Sequence, residues 1–128
     1  DKLACIEGDA FEAMKALREA RERFDVVILD PPAFIKRKKD LKEGTNAYRR
    51  ANQMAMQLLS KDGILVSGSC SHHLSRDSLQ STMHKAASHL DRNLQLLEQG
   101  HQGPDHPVHP AIPETDYLKA IFSRVLHR

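Results

Sequence analysis

The sequence is poor in the features that define several protein classes. Only two of its 128 residues are cysteines, Cys5 and Cys70, far apart. Two such thiols build neither a disulfide framework nor a zinc-ligand pattern, so a reduced, cytoplasmic setting is the default. No run approaches the roughly 18 apolar residues of a membrane-spanning helix, and no secretory leader pattern opens the chain. There is no glycine-rich phosphate loop, no serine-centred nucleophile elbow and no internal repeat. A large excess of one charge is missing too. The formal net charge is +2, which permits an anionic partner without demanding one. The chain starts with Asp1 rather than Met, and an apolar stretch follows almost at once. A piece of a longer protein, with its upstream strands missing, is therefore expected.

What is present is an alternation of short apolar runs and amphipathic stretches. With 40% hydrophobic and 28% charged residues, the composition suits one soluble globular domain. Leu3 to Ile6 reads as a strand closed by Glu7-Gly8-Asp9. Phe11, Met14, Leu17 and Ala20 then recur at helical spacing, with Asp9 as a plausible N-cap. Asp25 to Leu29 is a short unbroken apolar strand, which suits burial on both faces of a parallel sheet. Pro31 and Pro32 cannot donate to a ladder and must stop it. The lysine-rich segment Ile35 to Asn46 reads as a loop or a poorly ordered stretch. Thr45 or Asn46 would cap a helix over Ala47 to Leu59, and Lys61-Asp62-Gly63 is a stop-and-turn signal. A second buried strand follows from Ile64 to Cys70, then a helix from Arg76 to Leu90 with Ser75 and Asp77 as capping candidates. Leu94 to Leu97 and Tyr117 to Val125 read as strands. The loop between them carries Pro104, Pro107, Pro110 and Pro113 with His101, His106 and His109. The order is that of an α/β fold. Its last two strands have no helix between them, which suits an antiparallel hairpin at a sheet edge.

In open α/β sheets, ligands bind beyond the carboxyl ends of the strands. Two motifs fall there. Asp30-Pro31-Pro32-Ala33-Phe34 offers an acid and rigid backbone carbonyls that can accept from the amino group of a flat base, with Phe34 as a stacking face. The plain alternative is a strand stop with Phe34 packed inside. Ser69-Cys70-Ser71-His72-His73 offers a thiol flanked by imidazoles and a basic loop, surroundings that favour a nucleophilic thiolate. The plain alternative is a small buried side chain. Cys5, inside an apolar strand, is expected to be structural. Glu7-Gly8-Asp9-Ala10 could bind a ribose hydroxyl or an adenine amino group, or could simply cap a helix. Lys36 to Lys39 would contact RNA phosphates if a base pocket lies beside them, and is otherwise a solvated surface. The histidines at 101, 106 and 109 match no zinc spacing, so no metal site is expected.

Together these motifs resemble the 23S ribosomal RNA large subunit methyltransferase I family, S-adenosylmethionine-dependent enzymes that make 5-methylcytosine. The matching stretches are Gly8-Asp9-Ala10, Asp25 to Phe34, Ser69 to His73, and the tail His106-Pro107 through Glu114-Thr115-Asp116-Tyr117-Leu118-Lys119. Asp-Pro-Pro alone is shared with amino-group methyltransferases, and the combination with Ser-Cys-Ser-His-His is more specific. The resemblance implies the C-terminal part of a class I Rossmann-like methyltransferase sheet, strands 3 to 7, with the last strand antiparallel. It implies that the first strands and an N-terminal PUA-like RNA-binding domain are absent, so that the chain alone would bind cofactor weakly and be inactive. It also implies roles. Cys70 would add to C6 of a cytosine, and Asp30 would stabilise the adduct. Asp9, Ala10 and Asp30 would hold S-adenosylmethionine. Pro31, Pro32, Phe34, Lys36, His72 and His73 would meet the 23S ribosomal RNA, in the cytoplasm, away from any membrane or metal. A homodimer is compatible with this reading. Many wider relatives place a second cysteine where this sequence has Ala33-Phe34, which leaves the base that takes the C5 proton unassigned. An amino-group methyltransferase and a non-catalytic RNA-binding module remain as alternatives.

Overall fold

The protein is described from a computed structural model over residues 3–112 and 117–127. Helix α1 spans Ala10–Glu19, β1 Phe24–Leu29, α2 Leu41–Gln57, β2 Leu59–Ser69, α3 Arg76–His89, β3 Arg92–His101 and β4 Lys119–His127. The strands form one mixed sheet in the order β1-β2-β4-β3. β1 and β2 run parallel, and β4 is antiparallel to both β2 and β3. The expected antiparallel ending is thus present, with the last strand inserted between β2 and β3. This is the Rossmann-like arrangement expected of the fold class.

Burial along β4 alternates strictly, with Lys119, Ile121, Ser123 and Val125 inside. Helices α2 and α3 pack on the face carrying these residues. α2 packs on β1, β2 and α3, and α3 packs on β3 and β4. Leu65, Leu79, Met83, Ala86, Ala87 and Ile121 meet in that core. The starts of α1 and α3 have a local cause. The Asp9 carboxylate accepts from the Phe11 and Glu12 amides at 2.8 and 3.4 Å. The Ser75 hydroxyl accepts from the Ser78 amide at 3.0 Å. Both satisfy amides that a helix leaves without partners. No helix among the described residues is long and apolar enough to cross a membrane.

Several expectations are corrected. Leu3 to Ile6 forms no strand and lies exposed, because no described strand offers it a ladder. Cys5 is accordingly exposed rather than packed in a sheet. β1 is not buried on both faces: among the described residues it pairs only with β2, and Val26 and Ile28 are 53% and 72% exposed. The lysine-rich segment is not a loop to Asn46. A 3-10 turn at Lys38–Asp40 leads straight into α2, six residues before Ala47, so Thr45 and Asn46 lie inside the helix and cap nothing. Lys61-Asp62-Gly63 does not end the chain's run to the next strand but sits within β2. The pairing jumps there from Phe24↔Leu59 to Val26↔Ile64, and Asp62 takes a left-handed φ of 58°. β3 runs on to His101, beyond the expected Leu97. Pro113 and the tail residues Glu114, Thr115 and Asp116 lie outside the described residues.

Candidate active site

β1 and β2 end side by side, with Leu29 paired to Ser67. Asp30 Oδ1 lies 3.8 Å from where a Cβ on Gly68 would stand. The parallel pairing therefore brings the proline motif and the cysteine motif to one edge of the sheet. Beside β1 is a cavity of about 710 Å3, lined by Asp9, Ala10, Asp30, Pro31, Pro32 and Phe34 together with apolar residues of α1 and β1. The two acid motifs picked out in the sequence thus share one wall. Cys70, Lys36, His72 and His73 do not line it. Lys36 is exposed on the loop after Phe34. His72 and His73 stand just past β2, their ring centroids 4.0 Å apart.

Phe34 is half-buried. Its ring meets Phe11 at 6.1 Å and stands edge-on to Tyr48 at 4.8 Å and 74°, an arrangement that aromatic quadrupoles favour. The Arg50 guanidinium sits 4.7 Å over the Phe11 ring, adding a cation–π contact. Gly44 of α2 lets the proline loop lie on the helix. A Cβ there would run into Ile35 and come 2.8 Å from the Phe34 carbonyl oxygen.

The turn after β2 is built from its serines. Ser69 and Ser71 are buried, while Cys70 between them is exposed. The Ser69 hydroxyl donates to the Tyr48 phenol at 2.9 Å and accepts from the Ser71 amide at 3.2 Å. The Ser71 hydroxyl donates to the Ile35 carbonyl. On the far side, the buried Lys119 ammonium donates to the Ser71 carbonyl at 2.7 Å and to that of Tyr117 at 2.8 Å. Alternation along an extended chain turns the serines inward and the thiol outward. Tyr48 itself is fully enclosed. Burial pushes its phenol up from the ordinary 10.0; the bonds from Ser69 and the Phe34 backbone pull it down, and charge on Cys70 adds to the rise.

Tyr48 and Gly44 were not singled out in the sequence, and Ser69, Ser71 and Lys119 were named only as members of motifs, with no role of their own. The spacing Gly44, Tyr48, Ala51, Asn52, Ala55 would have shown the buried face of α2, but Gly44 and Asn52 break the apolar pattern. The tail histidines do not converge. His101 Nδ1 meets Arg76 at 3.0 Å, His106 pairs with Asp105 at 3.2 Å, and His109 accepts from the Ala111 amide at 3.1 Å. No group of three metal-ligating side chains comes together among the described residues.

A parallel sheet with an inserted antiparallel last strand, and a mostly apolar cavity beside β1 that carries two acids, Asp9 and Asp30, is a Rossmann-like arrangement. Solved structures agree: SMU.776, assigned as a methyltransferase and solved with SAH, superposes with a TM-score of 0.76 over 91% of this chain and 30% of its own, at 18% identity. A methyltransferase homologue from Pyrococcus horikoshii gives 0.58 over 83% of this chain and 40% of its own, at 22% identity. The sequence relationship is closer and more particular. The ribosomal RNA large subunit methyltransferase I of Citrobacter koseri is 38% identical over 125 residues, 98% of this chain and 32% of that protein. That of Salmonella arizonae is 39% identical over 98% of this chain and 31% of its own length. The chain is a homologue of the C-terminal region of the ribosomal RNA large subunit methyltransferase I proteins, and it spans about a third of their length. No family model matches it.

Proposed function

We propose that the chain is part of the catalytic domain of an S-adenosylmethionine-dependent enzyme that methylates C5 of a cytosine in 23S ribosomal RNA through a covalent adduct with Cys70. The observation that carries this reading is the Ser-Cys-Ser turn. Two buried, hydrogen-bonded serines hold one exposed thiol at the edge where Asp30 ends the neighbouring strand. A merely structural cysteine has no need of such a mount.

The cavity suits the cofactor in size and character, since small-molecule sites typically enclose about 300–1,000 Å3 behind mostly apolar walls with a few polar groups. Asp9 and Ala10 at the start of α1 and Asp30 at the end of β1 would hold it. Bound there, S-adenosylmethionine would supply an electrophilic methyl group. The protein's own part is addition and release. The Cys70 thiolate forms a bond to C6 of the cytosine, and the displaced electron pair makes C5 nucleophilic. Once the C5 proton passes to a base, the returning electron pair breaks the C6–S bond and frees the thiolate. Asp30 accepts from the exocyclic amino group, Pro31, Pro32 and Phe34 shape the base pocket, and Lys36, His72 and His73 meet the RNA backbone. The base must leave its stack to reach the thiol.

One observation favours a second reading. Asp30, Pro31, Pro32 and Phe34 line the cavity and Cys70 does not, as an amino-group methyltransferase without an adduct would require. Cys70→Ala in the full-length protein separates the two. Lost methyl transfer to 23S RNA, with the parent's product carrying its label at C5, supports the cysteine reading. Near-normal turnover supports the amino-group reading, and RNA binding with no transfer by the parent protein supports a binding module.

A further inference from the structure

We propose that Tyr48 is a positioning residue that sets the separation between the proline wall of the base pocket and the Cys70 thiol. The proposal rests on the cysteine reading above. Tyr48 belongs to neither strand end; it comes from the middle of α2. Its side chain is fully buried, and a buried hydroxyl is costly unless it finds a partner. Its hydroxyl accepts from Ser69 at 2.9 Å, and its ring stands edge-on to Phe34 at 4.8 Å. These are the residue immediately before Cys70 and the last residue of the proline motif.

One side chain therefore joins the two segments that carry the candidate chemistry. The tie continues through Ser69, whose oxygen also accepts from the Ser71 amide at 3.2 Å, so both backbone neighbours of Cys70 are linked to it. The Tyr48 ring supports the Phe34 ring edge-on, and that contact does not need the hydroxyl. Ring and hydroxyl have separable duties. A phenylalanine at 48 would keep the packing and lose the tie. Displacements of about 1 Å in a reacting geometry cost roughly a hundredfold in rate, so a loosened tie is read in turnover before it is read in folding.

The test is Tyr48→Phe in the full-length protein. The expected result is a kcat reduced roughly tenfold or more, with KM for RNA and for S-adenosylmethionine unchanged. Ser69→Ala removes the same bond from its other end. If the bond itself matters, the double variant loses no more than the worse single variant; fully additive losses overturn the proposal. The second readout uses this chain directly. With Cys5→Ser in place, Tyr48→Phe should change the rate at which iodoacetamide alkylates Cys70, whereas in a Cys70→Ser chain it should leave Cys5 alkylation unchanged. Unaltered kcat and unaltered Cys70 alkylation overturn the positioning role while leaving the cysteine reading intact. Full turnover by Cys70→Ala overturns the cysteine reading itself.

Discussion

Single atoms decide much of the candidate site. Gly44 is the clearest case, because the space a methyl group would need is already held by Ile35 and the Phe34 carbonyl. Gly44→Ala gains helix propensity on paper, about 1 kcal/mol. It must also push the proline loop off the helix, and overpacking of this kind typically costs about 1–3 kcal/mol. The expected outcome is a lower urea midpoint, measured against the parent chain. Tyr48 gives a second prediction. Its folded-state pKa is raised by burial above the ordinary 10.0, so the folded state favours the neutral phenol. The stabilisation from this residue is full below about 10 and is lost as pH rises through the folded-state value. Melting temperatures followed from neutral pH into the alkaline range should therefore fall more steeply for the parent than for Tyr48→Phe. A parallel decline would mean that the phenol makes no such contribution.

Elements differed in how plainly the sequence announced them. α1 and α3 were legible because a capping side chain stands directly before an amphipathic run. Ser75→Ala should accordingly cost α3 about 1 kcal/mol, seen as a shift in unfolding midpoint without change in the slope of the transition. The first half of α2 was hidden for a physical reason. Its buried face is made of Gly44, Tyr48 and Asn52, so no apolar period marks it, and the lysines around it suggest a loop. β1 misled in the opposite direction. A run such as Val-Val-Ile-Leu normally signals burial on both faces, yet burial depends on neighbours that a strand does not carry in its own sequence. The excursion at Lys61-Asp62-Gly63 had the composition of a turn. It lies instead within β2, where the register shifts and the pairing resumes at Ile64, with Ser60 donating to the Asp25 carboxylate at 2.8 Å.

Across the whole molecule, the antiparallel ending followed from the pattern of runs and loops, whereas the place of β4 between β2 and β3 did not. The residues of the cavity wall followed from where those runs stop. The serine mount, the Lys119 contact and the Tyr48 link did not, since they join segments 21 to 48 residues apart through polar side chains that have no periodic signature. The cavity is walled by α1, β1 and the proline loop, while the outer edge of β1 faces no described strand. Isothermal titration of this chain with S-adenosylmethionine should therefore give little heat, and a micromolar dissociation constant would show the wall to be sufficient as it stands. The one-sided pairing of β1 also has a consequence in time. β2 is laddered on both edges and β1 on one, so amide hydrogens of β1 and the proline loop should trade with solvent sooner than those leading to the cysteine turn. The two walls of the site would then keep different clocks, the thiol held on a slow frame and the base pocket free to breathe around it.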